Sequence, residues 1–94
     1  MSKAYDEAKA GGDHEGLYLR YHNEGEVQIR KAIRSHLATI AKHERWIDAP
    51  ESKVRPEATQ AERELLRQAT WPGQIRIFRE EIEVLQGILQ ERKQ

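Results

Sequence analysis

The sequence predicts an all-α protein: an antiparallel helical hairpin, spanning about 24–48 and 72–92, with a short third helix at about 57–69. Three observations predict it. Charged residues make up 34% of the chain and aromatics only 6%, a mix that suits a surface-rich helical protein and not a β-sandwich. Two stretches carry apolar seams at coiled-coil spacing. Prolines fall between those stretches, where the chain has to turn.

Taken in order, residues 1–13 are small and polar and contain the break Gly11-Gly12, so they read as a flexible tail ahead of a single helical domain, 14–94. "HEGLYLRYHNEGE", 14–26, holds a short apolar centre, Leu17 to Tyr21, that fits a helical turn or an unpartnered strand equally well. The first long helix then presents Ile29, Ile33, His36, Ile40, His43 and Ile47 on one face. It ends in "DAPESKVRP", where Pro50 and Pro56 disfavour helix at the residues before them. Pro56 and early glutamates restart a helix, whose apolar face is only Ala61, Leu65, Leu66 and Ala69. "TWPG" predicts a break or kink, because Trp71 precedes Pro72. The last helix presents Trp71, Ile75, Phe78, Ile82, Leu85 and Leu89.

The two seams share one spacing, and the chain reverses between them, so they pack antiparallel in matched layers. Ile47 meets Trp71, His43 meets Ile75, Ile40 meets Phe78, His36 meets Ile82, Ile33 meets Leu85 and Ile29 meets Leu89. A two-helix seam leaves apolar surface over: Leu37 and Ala41 on the first helix, and Ile77, Val84 and Ile88 as a second stripe on the last. Either the short third helix covers it, giving a three-helix bundle, or a second copy does, giving a homodimer. The stripe Ile77, Val84, Ile88 is therefore a candidate interaction surface.

Composition narrows the function. Lysine plus arginine total 16 and aspartate plus glutamate total 16, which argues against a nucleic-acid binder, since such proteins show a basic excess or stripe. With no cysteine there is no disulfide, thiol nucleophile or zinc-thiolate site. No apolar run is long enough for a membrane span, and the first residues lack the apolar core of a secretory signal. The expectation is a cytoplasmic protein without membrane contact, with export by a signal-less route left open.

Two sets of side chains invite a chemical reading. His36 and His43 lie on the apolar seam, seven residues apart, which separates them by about 10.5 Å along the axis. They cannot share an ion unaided, so no metal is expected. They read as amphipathic seam residues whose tips reach water or a backbone carbonyl. Buried and neutral, they would be pH-sensitive positions, with stability falling as acid charges them. The second set is "HEGLYLRYH", where His14, Glu15, Arg20 and His22 are the residue types a metal-free nuclease uses for acid–base work and phosphate binding. Their spacing matches no diagnostic motif. On the last helix, Arg76–Glu80 and Arg79–Glu83 read as exposed pairs four residues apart.

The elements Ile29, Ile33, His43, Pro50, Trp71, Ile75, Phe78, Ile82, Leu85, Gly87 and Leu89 together resemble the helical C-terminal segment of some bacterial polymorphic toxin chains. There too an amphipathic helix ends in a proline-containing loop and a second seam helix follows. The resemblance covers residues 29–89 and implies a bacterial origin; it carries no catalytic residue across. The reading that results is a small non-enzymatic protein-interaction module that needs no cofactor and binds a protein partner or itself. The alternative is a small nuclease-type bacterial toxin domain using residues 14–22.

Overall fold

A computed structural model of the chain describes residues 2–93; Met1 of the expected tail and Gln94 at the end of the expected domain lie outside them. Helix α1 spans Lys3–Lys9, α2 Glu15–His22 and α3 Glu26–Asp48; a single 3-10 turn follows at Pro50–Ser52; α4 spans Gln60–Leu65 and α5 Trp71–Arg92. No strand occurs among the described residues.

The hairpin is formed by α3 and α5. His36 of α3 bonds Glu81 of α5 and His43 bonds Gln74, so α5 runs back along α3. Each partner is the residue just before the isoleucine expected opposite, Ile82 or Ile75. Ile40, Ile75 and Ile82 form one buried cluster, with Ile33, Ile47 and Phe78 packed on it. Heptad-spaced branched side chains on both helices account for this packing.

Residues 2–13 do not behave as the flexible tail that their polarity suggested. Ser2 caps α1 by accepting from the Tyr5 N–H at 3.2 Å, and Ala4, Tyr5 and Ala8 are buried. A seven-residue helix is not stable alone; here it docks on α5. Ala4, Tyr5 and Ala8 join Tyr18, Ile29, Val84, Leu85 and Ile88 in a second and larger core cluster. The approach is close because Gly87 has no side chain: a Cβ there would lie 2.2 Å from the Tyr5 ring. The expected interaction stripe is corrected accordingly. Val84 and Ile88 are 0% and 1% exposed, covered within the chain, and only Ile77 of the three stays open.

Two further expectations fail around the third helix. It starts at Gln60, not near 57, because Thr59 and Glu62 form a reciprocal capping box. It also does not complete a three-helix bundle: none of its residues is buried and Leu65 is 63% exposed. Nor does "TWPG" break the chain. Leu66, Thr70 and Trp71 are all right-handed helical, and the Trp71 N–H donates to the Leu66 carbonyl, one residue further back than in an α-helix. This π turn over Leu66–Thr70 sits just before Pro72, whose missing N–H and bulky ring the regular ladder could not take. Gln60 to Arg92 is therefore one continuous helical rod, its ladder altered at the place where the sequence predicted a break or kink.

Candidate functional site

The two seam histidines begin alike. Each ring donates its Nδ1–H to the carbonyl four residues back, His36 to Ala32 and His43 to Thr39, both at 2.8 Å. Their other nitrogens differ. His36 Nε2 meets the Glu81 carboxylate at 2.5 Å. Its two partners are the Ala32 carbonyl and the Glu81 carboxylate, one on each ring nitrogen. His43 Nε2 lies 2.8 Å from the Gln74 side-chain amide, which presents an acceptor or, turned over, a donor. His43 is buried, its ring lying against Trp46 at 4.6 Å and Phe78 at 5.8 Å. The picture of two rings held in hydrocarbon is thus corrected for His36, whose Nε2 lies against a carboxylate. A leucine at 36 would strand a half-buried carboxylate. The signal was present in the sequence: Gln74 and Glu81 are seven apart, like His36 and His43.

The residues expected to form a nuclease-type group do not converge. Glu15 is exposed. Arg20 lies with its guanidinium 5.1 Å over the Tyr21 ring, and His22 stacks on Tyr18 at 5.1 Å. His14 alone reaches a cluster, and its companions come from α5. Its Nε2 lies 2.9 Å from Glu80, whose other oxygen accepts from Arg76 at 2.8 Å. His14 caps α2 with φ +67°, a left-handed conformation in which a histidine is uncommon. That backbone turns the ring towards α5. Glu80 is held below the usual carboxylate range, chiefly by the bond from His14 and then by Arg76. Lys3, Glu7, Asp13 and Glu83 complete the polar cleft around this trio, about 350 Å³ in volume.

A second group ties α1 to the end of α5. Glu91 accepts from the Tyr5 hydroxyl at 2.7 Å and from Lys9 at 2.8 Å. The Lys9 bond, then the Tyr5 bond, hold Glu91 below the ordinary carboxylate range, and Glu91 in turn raises Lys9. Burial, reinforced by Glu91, pushes the Tyr5 hydroxyl up to about 12. Beyond it, Arg92 donates to the carbonyls of His22, at 3.0 Å, and Glu24, closing the α2–α3 turn. These contacts tie the two ends of the chain together.

An uncovered apolar surface lies on one side of the hairpin. Leu37, Ile40 and Ile82 line an open trough of about 380 Å³, bordered by Glu44, Arg79 and Glu83. A further hollow continues it past Glu44 and Arg79 to Ile47, Pro72 and Ile75. Leu37 is 53% exposed. Arg79 does not take the expected partner Glu83; it approaches Glu44 across the trough at 3.9 Å.

Among the described residues, no group of three or more histidine, aspartate or glutamate side chains is placed to hold a metal ion. No helix among them is long and apolar enough to cross a membrane. Comparison with protein-family models, with characterised proteins and with solved structures finds no match to this chain.

Proposed function

We propose that this protein is an interaction module that docks a protein partner on the open side of the α3–α5 hairpin. The observation that carries the reading is Leu37, a large apolar side chain more than half exposed beside Ile40 and Ile82 in a trough edged with charges. An apolar centre with a charged rim is the usual anatomy of a protein interface. The trough is shallow and open, which suits a helix or another flat surface better than an enclosed small molecule.

A second reading rests on the His14–Glu80–Arg76 trio, since a histidine held by a carboxylate beside a guanidinium is suited to acid–base work on a phosphodiester. One experiment separates the two. A photo-crosslinking side chain is placed at Leu37 and, as a control, at exposed Lys31 on another face of α3, and the same preparations are incubated with total RNA. The module reading expects a protein adduct from position 37 and not from 31, with the RNA intact. RNA cleavage that disappears in His14→Ala, with no adduct at 37, would replace it with the second reading.

A further inference from the structure

The exposed face of α3 beside the trough carries a charge pattern that the isolated chain does not use. Arg30, Arg34, Leu37, Ala41, Glu44 and Asp48 recur at alternating steps of four and three, so they form one stripe along the helix. All six are exposed. The stripe is basic at its start, apolar at its centre and acidic at its end, over about 27 Å of helix.

Helix stability does not explain this order. A lone helix favours acidic groups at its N-terminus and basic groups at its C-terminus. The stripe runs the other way, with Arg30 and Arg34 in the first half of α3 and Asp48 in its last turn. Internal pairing accounts for little of it. Arg30 bonds Glu26 at 2.8 Å, and Glu44 has Arg79 at 3.9 Å, both as exposed pairs, which contribute weakly. Arg34 and Asp48 have no ion pair among the described residues.

The pattern is complementary to itself when reversed. Laid antiparallel on a second copy about a two-fold axis, Arg30 faces the partner's Asp48, Arg34 faces the partner's Glu44, and Leu37 faces the partner's Ala41. Each contact recurs across the axis, as a closed two-fold interface requires. The same placement sets the partner's Leu37 over the trough formed by Ile40 and Ile82. Arg79 and Glu83 on the far wall carry opposite charges and leave that wall neutral overall.

We infer that the partner docked on this face is a second copy of the chain, paired antiparallel along α3 through this stripe. The inference rests on the interaction reading above and commits it to one occupant. It makes the association salt-sensitive, because its rim is charged and exposed.

The test is the molar mass in solution, by sedimentation equilibrium, of the full chain and its charge variants. Wild type is a dimer. Arg34→Glu places Glu opposite the partner's Glu44, and Glu44→Arg places Arg opposite the partner's Arg34. Because the axis counts each change twice, each variant alone weakens dimerisation by about tenfold or more. An equimolar mixture of the two restores it as a heterodimer, and the doubly exchanged chain restores it as a homodimer. Recovery in the mixture also proves that both variants fold. A wild type that stays monomeric up to about 1 mM, a dimer indifferent to both variants, or a mixture that does not recover would each overturn the inference. The crosslink at position 37 keeps the two readings apart. An adduct of twice the chain mass supports the second copy; an adduct of another mass removes the second copy and leaves the interaction module; no adduct removes both.

Discussion

At one end of α5, Val84, Leu85 and Ile88 are closed off by α1, α2 and α3, and a glycine lets a tyrosine ring lie against the helix backbone. At the other end of the same rod, no residue of α4 is buried and Leu65 stands in solvent. Both ends are regular, capped helix. The difference lies in what was brought against them. Backbone hydrogen bonds make a helix in either place, but only the closed end gains the apolar burial that holds a helix against the entropy of ordering it. The closed end is thus the stability centre of the molecule, and the arm formed by α4 and the π turn is held by continuity with α5 and by contact of the π turn with α3.

The largest test of that contrast compares two leucine truncations. Leu85→Ala, at a position with no exposure, is expected to cost about 2–5 kcal/mol in urea unfolding. Leu65→Ala, on the arm, is expected to change stability by less than about 0.5 kcal/mol. Equal costs at the two sites would show that the arm packs as tightly as the core.

Gly87→Ala gives an intermediate effect and sharpens the contrast. The added methyl collides with the Tyr5 ring, so overpacking costs about 1–3 kcal/mol. In a Tyr5→Ala background the ring contacts are gone and only the residue-5 Cβ remains close, at 2.8 Å, so the same substitution costs less, and the helix preference of alanine over glycine offsets part of what is left. A double-mutant cycle by urea unfolding reads the coupling directly. Additive effects would mean that α1 does not seat on Gly87.

The smallest expected effect is the pH window of the closed end. Tyr5 and Lys9 have folded values above their unfolded ones, so their contribution is present below about pH 10. For Tyr5 it is lost as pH rises through about 12, and the exposed Lys9 adds little to this. Glu91 and Glu80 have folded values below their unfolded ones. Their contribution is present above the ordinary carboxylate range and is lost as pH falls through the lowered values. Thermal melts followed by circular dichroism should therefore show a plateau between these limits. Tyr5→Phe should blunt the alkaline fall and Glu91→Gln the acid one; melts with unchanged limbs would remove the latch from the account.

The hairpin was legible from the seams because a heptad repeat states which face is buried without reference to anything else in the chain. Trp71, Phe78, Ile82, Leu85 and the isoleucines of α3 all fall on the expected sides, and Arg76–Glu80 forms as their spacing implied. The site partners were less legible. His36 and His43 stood out as polar residues on an apolar face, but Glu81 and Gln74 looked like ordinary surface residues. Their role depends on each imidazole reaching past the seam to the residue beside it on α5. His14 attracted attention for its neighbours in sequence, Glu15, Arg20 and His22, and its real neighbours, Glu80 and Arg76, come from 66 and 62 positions further along the chain. Short range in sequence was a poor guide there, because a left-handed turn at His14 redirects the ring.

What the sequence determined by itself was periodic: two long helices, their shared face and their antiparallel order. Each of these is set by contacts within a few residues or by a repeat that any partner helix must respect. What only the tertiary structure decided was which leftover surface is covered and by what. "KAYDEAK" has two alanines and one tyrosine to bury, too little to declare a core helix, until Gly87 supplies a gap of the right depth. The same burial that recruited α1 took Val84 and Ile88 out of reach of any partner. It left Leu37 and the charged stripe of α3 as the surface the fold does not use for itself.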